Sequence, residues 1–169
     1  MQLIRCTQKL LKELKQEPTN VVPLSGLLGG WHANIFNIER RKCVLATNDS
    51  TLYTLFIPYL KKADFQSFPI VFGQHLFKNL RHEGIIQKHI EAVLEEIHEI
   101  KFAKTNSRSV LGSMNDQRVQ LECRIQIKGG LAKTDIYELN HELNKNILSA
   151  IDYKQPVEML KFKLDEKNT

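Results

Sequence analysis

At 169 residues, with 42% hydrophobic and 25% charged side chains, the chain can bury one apolar core without disulfide or metal staples, and its composition excludes a disordered protein. Its net charge of +5 invites a nucleic-acid reading, yet the basic residues are scattered from Arg40 to Lys128 with few aromatics beside them as stacking platforms. No apolar run spans a bilayer: residues 21–31 and 52–60 are short and broken by Gly, Pro, Ser or Thr, and M-Q-L-I-R-C-T turns polar too early for a signal peptide.

Residues 2–6 alternate in a strand-like way, and Thr7 is a good N-cap for a helix through about Lys15 with Leu10, Leu11 and Leu14 on one face. Residues 16–30 hold two prolines and three glycines and read as a mobile loop; the glycines lack the spacing of a phosphate cradle. Then W-H-A-N-I-F-N-I-E-R-R-K-C-V-L-A-T-N-D reads as two strands joined by a tight basic turn. With Arg40 and Arg41 as the loop, His32 faces Asp49 and Asn34 faces Thr47; a three-residue turn would set His32 against Asn48. Residues 52–57 form the next strand, ended by Pro58. Residues 2–6 join this antiparallel meander as an edge or as a central parallel partner.

A helical region begins at Ala63, and residues 69–82 form a helix with Val71, Phe72, Leu76, Phe77 and Leu80 inward, stopped by Gly84. Ile86, Ile90, Val93 and Ile97 recur at helical spacing and predict an amphipathic helix over 85–99, with Glu91, Glu95, Glu96 and Glu99 outward. After a brief extended piece at 100–104, Thr105, Asn106 and Ser107 offer caps for a long helix to about Lys128. Its buried arc is Val110, Leu111, Met114, Leu121 and Ile125, and Gly129-Gly130 ends it. Thr134 caps a further helix with Ile136, Leu139, Leu143 and Ile147 inside. A turn at Asp152-Tyr153 leads to a Pro-started helix over 156–164 and a polar tail from about residue 165. The expected fold is therefore α+β, one domain over residues 1–169. Its small, mainly antiparallel sheet of three to four strands comes from the N-terminal third and is covered by four to five helices.

Two polar blocks carry the candidate chemistry. A histidine held by a carboxylate has a fixed tautomer and raised basicity, which makes His32 with Asp49 a candidate general base, although neither Thr47 nor Ser50 sits on a glycine elbow as a nucleophile would. The alternative is a hydrogen-bonded pair at the end of a hairpin. On the opposite strand face Trp31 joins Ala33, Ile35, Val44 and Ala46, as core or as the wall of a cleft closed by the glycine loop. In K-T-N-S-R-S-V-L-G-S-M-N-D, Arg108, Gly112 and Asn115 form one helical stripe with a bare middle. Arg108 stands at the helix start, where with Lys104 it can hold an anion. The structural alternative is that Gly112 allows close helix packing and Arg108 pairs with Asp116 or Glu122. The candidate cleft is thus His32, Asn34, Asp49, Lys104, Arg108 and Asn115, with Trp31 or Tyr53 at its margin.

Cys6, Cys43 and Cys123 are odd in number, far apart and set among aliphatic neighbours. They read as small buried hydrophobes in a reducing cytoplasm. His75, His82, His89, His98 and His141 share no H-x-x-x-H spacing, so neither a metal nor a cofactor is expected.

The blocks M-Q-L-I-R-C-T-Q-K-L-L-K-E-L-K, W-H-A-N-I-F-N-I-E-R-R-K-C-V-L-A-T-N-D-S-T-L-Y and F-A-K-T-N-S-R-S-V-L-G-S-M-N-D together resemble a family of uncharacterised bacterial proteins, a domain of unknown function. The resemblance implies a bacterial cytoplasmic origin and no activity. S-A-I-D-Y-K-Q-P-V-E also resembles the tail of integrase-type transposase catalytic domains, but those enzymes need three acidic metal ligands, and Asp49, Asp116 and Glu122 lack the surrounding pattern. The expected function is a non-enzymatic binding or accessory protein with a polar, basic cleft. Its ligand would be anionic, or a protein partner, ahead of a nucleic acid, with no membrane. The alternative is a small hydrolase or nucleic-acid-processing, mobile-element-related enzyme using His32 and Asp49.

Overall fold

A computed structural model describes residues 1–20 and 26–166. Positions 21–25 of the expected mobile loop and 167–169 of the expected tail lie outside the described residues.

Among the described residues the sheet has five strands in the order β4-β3-β2-β1-β5. Strand β1 (Gln2–Cys6) runs parallel to both neighbours, β2 (Trp31–Ile38) and β5 (Ile100–Lys104), while β3 (Arg41–Asn48) is antiparallel to β2 and to β4 (Thr54–Leu60). Of the two places open to residues 2–6, the central parallel one is occupied. The expectation of three to four mainly antiparallel strands is corrected to five in a mixed sheet, because the extended piece at 100–104 pairs along the whole of β1. Parallel pairing needs a crossover, so the partner comes from far along the chain, where local pattern cannot announce it.

Seven α-helices flank the sheet among the described residues, against the four to five expected: α1 (Gln8–Leu14), α2 (Lys62–Gln66), α3 (Phe68–His82), α4 (Gln87–Glu96), α5 (Arg108–Ile127), α6 (Ile136–Asn144) and α7 (Pro156–Glu166). Thr7 caps α1 as expected, its side chain accepting from the Leu10 N–H, and Ser107 caps α5 through Val110. The cap of α6 is Asp135 rather than Thr134, and Ile147 lies beyond that helix, exposed.

Side chains alternate along each strand, so each face has its own core. On one face Ile4, Trp31, Ala33, Ile35, Val44 and Ala46 pack with α1, α3, α4 and α7 through residues such as Leu10, Phe72, Ile90 and Leu160. On the other, Phe36, Ile38, Cys43, Leu45 and Phe56 meet Met114, Leu121 and Ile125 of α5 and Leu139 and Leu143 of α6. Burying each of the Val, Leu, Ile, Phe and Met side chains among them contributes roughly 1.5–3 kcal/mol. Trp31 is 1% exposed, edge-on to Phe72 with ring centroids 5.4 Å apart, and Tyr53 is wholly buried; neither stands at the margin of a cleft.

Two local expectations are corrected. The hairpin loop is Glu39-Arg40, both in the left-handed region (φ 49° and 62°), not Arg40-Arg41. The two-residue turn that suits a twisted hairpin needs that conformation at both positions, and Glu39 is further held because its carboxylate accepts the Leu131 N–H at 2.8 Å. His32 therefore pairs with Thr47, and Asn34 with Leu45; the shift of two residues leaves every side chain on its expected face. Pro58 does not end its strand. It lies in a bulge of edge strand β4, where Val44 pairs with Ile57 and Lys42 with Leu60, which spares the ladder the N–H that proline lacks.

Candidate functional site

The turn after β3 is organised by Asn48, fully buried. Its amide donates to the Leu28 and Gly30 carbonyls at 2.9 and 3.2 Å, and its oxygen accepts from the Thr51 hydroxyl at 2.8 Å and the Thr51 N–H at 3.0 Å. This pins the glycine segment to the turn and fixes Asp49, whose N–H donates to the Gly30 carbonyl at 2.9 Å. Asp49 follows Thr47 by two, so it shares the face of His32 and reaches it diagonally. His32 Nδ1 and Asp49 Oδ1 are 2.6 Å apart. The histidine side chain is 1% exposed and the carboxylate 30%.

The other ring nitrogen is also engaged: the Asn106 N–H donates to His32 Nε2 at 3.3 Å. A backbone N–H can only donate, so Nε2 carries the lone pair and Nδ1–H donates to Asp49. An imidazole buried with both nitrogens in use has none to offer a substrate proton. It instead ties the loop entering α5 to the centre of the sheet.

The remaining predicted residues sit around this tie. The half-buried Asn34 accepts from the Thr7 hydroxyl at 2.7 Å, steadying the start of α1. Lys104 ends β5, exposed, and Arg5 donates to its carbonyl at 3.3 Å. Arg108 is the exposed first residue of α5, two residues past Asn106 and so within about 7 Å of it along the chain. Lys104 and Arg108 thus come to the same end of the sheet as His32 and Asp49. Exposed Asn115 lies roughly 10 Å farther along the helix. A Cβ at Gly112 would meet nothing within 4 Å, so close packing does not explain that glycine. Of the two acids proposed as partners for Arg108, Glu122 is bonded to Arg118 at 3.0 Å.

A cavity of about 500 Å³ lies elsewhere, between α5 and the segment after α6, lined by Asp116, Val119, Asn146, Ile147 and Leu148 among others. Among the described residues, no group of three His, Cys, Asp or Glu side chains is placed to hold a metal ion. Cys6 and Cys43 are buried as expected; burial pushes the Cys43 thiol up to about 11 and Cys6 higher still. Cys123 is exposed, contrary to the expectation, because the arc of α5 that carries it faces away from the core.

Two constellations escaped the sequence reading. Glu83, its side chain 1% exposed, meets His141 Nδ1 at 2.7 Å, with the buried Tyr53 hydroxyl 3.5 Å away; burial first, and then the Glu83 charge, push the Tyr53 phenol well above its usual value. These residues are far apart in sequence and no spacing joins them. Lys163 of α7 reaches the Leu28 carbonyl at 3.3 Å and the Ser50 hydroxyl. Here too no spacing helps, since Lys163 lies 135 positions beyond Leu28 and 113 beyond Ser50.

Residues 3–159 match the family described as "Domain of unknown function (DUF6933)". The chain belongs to that family. No curated protein and no solved structure matches it. No helix among the described residues is long and apolar enough to cross a membrane.

Proposed function

We propose that the protein is a non-enzymatic binding or accessory protein, and that the start of α5 is where it takes the anionic group of a ligand or of a protein partner. The Asn106 N–H bond to His32 supports this reading most directly. It holds the first turn of α5 against the sheet while Lys104 and Arg108 remain exposed beside it, and free N–H groups of a first helical turn favour an anion. In this reading Lys104 and Arg108 contact the anion, His32 and Asp49 hold the loop, Asn34 steadies α1 opposite, and Asn115 borders the surface. The occupied nitrogens of His32 argue against the hydrolase alternative.

Titration with inorganic phosphate and pyrophosphate, followed by amide chemical shifts, tests it. Shifts are expected to centre on residues 105–109 and to vanish in Arg108→Ala, with thermal stability nearly unchanged because the side chain is exposed. Shifts spread over the surface, or indifferent to Arg108→Ala and Lys104→Ala, would reject the site.

A further inference from the structure

Strands β1 and β5 are adjacent, parallel and end level, Cys6 against Lys104, yet the chain leaves them for opposite faces of the sheet: α1 packs into one core and α5 into the other. Such a parting leaves a crevice outside the carboxyl ends of the two strands, which is where open α/β sheets bind their ligands. Its back wall is β2, which meets Cys6 at Ala33 and runs on to Ile38. One side is α5. Helix α6 touches α5 at Gln117 and Arg124 and covers β4, the far edge of the sheet; Arg108 and Asn115 lie roughly opposite those contacts at about 100° per residue, over the side of β1 and β5.

Two kinds of group surround the crevice. Half-buried Arg5 reaches the carboxyl end of β5, where it donates to the Lys104 carbonyl at 3.3 Å, and with exposed Lys104 and Arg108 it makes three cations that meet no carboxylate among the described residues. Asn34, half-buried in the wall of β2, accepts the Thr7 hydroxyl through Oδ1. Its Nδ2 is left as a donor with no partner among the described residues. Between Arg108 and Asn115, Gly112 is exposed, and a Cβ there would meet nothing within 4 Å. A glycine inside a helix lowers stability; with close helix packing excluded, the approach of a ligand to the helix backbone accounts for it.

We propose that this crevice takes a phosphate monoester of a sugar or similar polyol, its phosphate held by Arg5, Lys104 and Arg108 and its hydroxyls by Asn34 and Asn115, with the space at Gly112 between them. The inference rests on the anion reading of the start of α5 and adds which ligand bears the anion and where its uncharged part lies. Side-chain amides both donate to hydroxyls and accept from them. A nucleobase would need an aromatic or apolar platform, and the exposed large apolar side chains among the described residues lie elsewhere, none of them on α1, β1, β2, β5 or α5 before Val119. Half-buried Arg5 and Asn34 are within reach of a slender ligand rather than of a flat protein surface.

Calorimetric titration of the full chain, joined by amide chemical shifts, tests it. Glucose 6-phosphate is expected to bind at least about tenfold more tightly than inorganic phosphate, the worth of one or two added hydrogen bonds, and glucose not measurably. Its shifts are expected to extend from residues 105–109 to Asn34 and Gly112. Arg5→Gln should weaken both phosphates alike, whereas Asn34→Ala and Asn115→Ala should each reduce the preference for the sugar phosphate and leave inorganic phosphate unchanged. Gly112→Leu should weaken the sugar phosphate while raising the unfolding midpoint, a split that a glycine without a ligand would not produce. A sugar phosphate no tighter than inorganic phosphate, a preference indifferent to Asn34→Ala, Asn115→Ala and Gly112→Leu, or tighter binding of adenosine monophosphate overturns this inference and leaves the anion reading standing. Failure to bind any phosphate overturns both.

Discussion

Gly30 shows how closely single atoms govern the polar centre. A Cβ there would lie 2.8 Å from Asp49 Oδ2, and that carboxylate cannot swing away without leaving His32. Gly30→Ala is therefore expected to cost about 1–3 kcal/mol in chemical denaturation. It should cost much less in an Asp49→Ala background, where the obstructing oxygen is gone, so the two changes should be clearly non-additive. The pairing of His32 with Asp49 was legible in the sequence because alternation puts both on one face for either two-residue loop, Arg40-Arg41 or Glu39-Arg40, though not for a three-residue turn. The register was not legible: it depends on Glu39 answering to an N–H at Leu131, 92 residues away. The use of His32 Nε2 was hidden for the same reason, since its donor lies 74 residues on.

Among the elements, α6 has a role that helical periodicity conceals. Its apolar Leu139 and Leu143 were expected inside, and they are. Asn140 and Asn144, one turn apart and both fully buried, do what a sixth strand would do. Asn144 accepts the Thr54 N–H and donates to the Thr54 carbonyl, both at 2.7 Å, and Asn140 accepts the Phe56 N–H at 2.7 Å and donates to its carbonyl at 3.4 Å. A polar residue inside an apolar arc reads as an error in the pattern until the strand edge is in view. Asn144→Ala leaves two buried backbone groups without partners and is expected to cost about 2–6 kcal/mol, at roughly 1–3 for each orphan. Asn144→Asp should be no better, because a carboxylate cannot donate to the Thr54 carbonyl and brings a buried charge. Denaturant midpoints of the two variants check this. If Asn144→Ala unfolds like the wild type, the edge is satisfied some other way.

At the scale of the molecule, the two-faced core was foreseeable from strands apolar on both sides, and the α+β class from the order of periods along the chain. The fifth strand was not, since parallel pairing joins residues about a hundred positions apart. Acid response is also a property of the whole chain. His75 is held below its usual value, first by burial and then by the Lys78 charge, and its Nδ1 has no partner among the described residues. A histidine whose folded value is depressed costs stability as pH falls: below about 6.5 the unfolded chain takes the proton while the native one does not. The native protein is expected to lose stability from about pH 6.5 downward, through the lower folded value of His75, and His75→Leu to flatten that part of the curve. Unfolding free energies measured between pH 7.5 and roughly 5 decide it; equal slopes in the two proteins would clear His75 of the effect.

The asparagine seal on β4 also sets a clock. The edge is complete once residue 60 has been made, but the side chains that close it come 84 and 90 positions later than the residues they cover. At roughly 5–20 residues per second, the ribosome leaves a paired hairpin with a bare flank waiting on the order of 4–18 seconds for its cover. During that interval a neighbouring nascent chain can offer the same hydrogen bonds that Asn140 and Asn144 will later supply. The hazard thus belongs to synthesis rather than to the finished protein, and it falls on any product that stops short of α6.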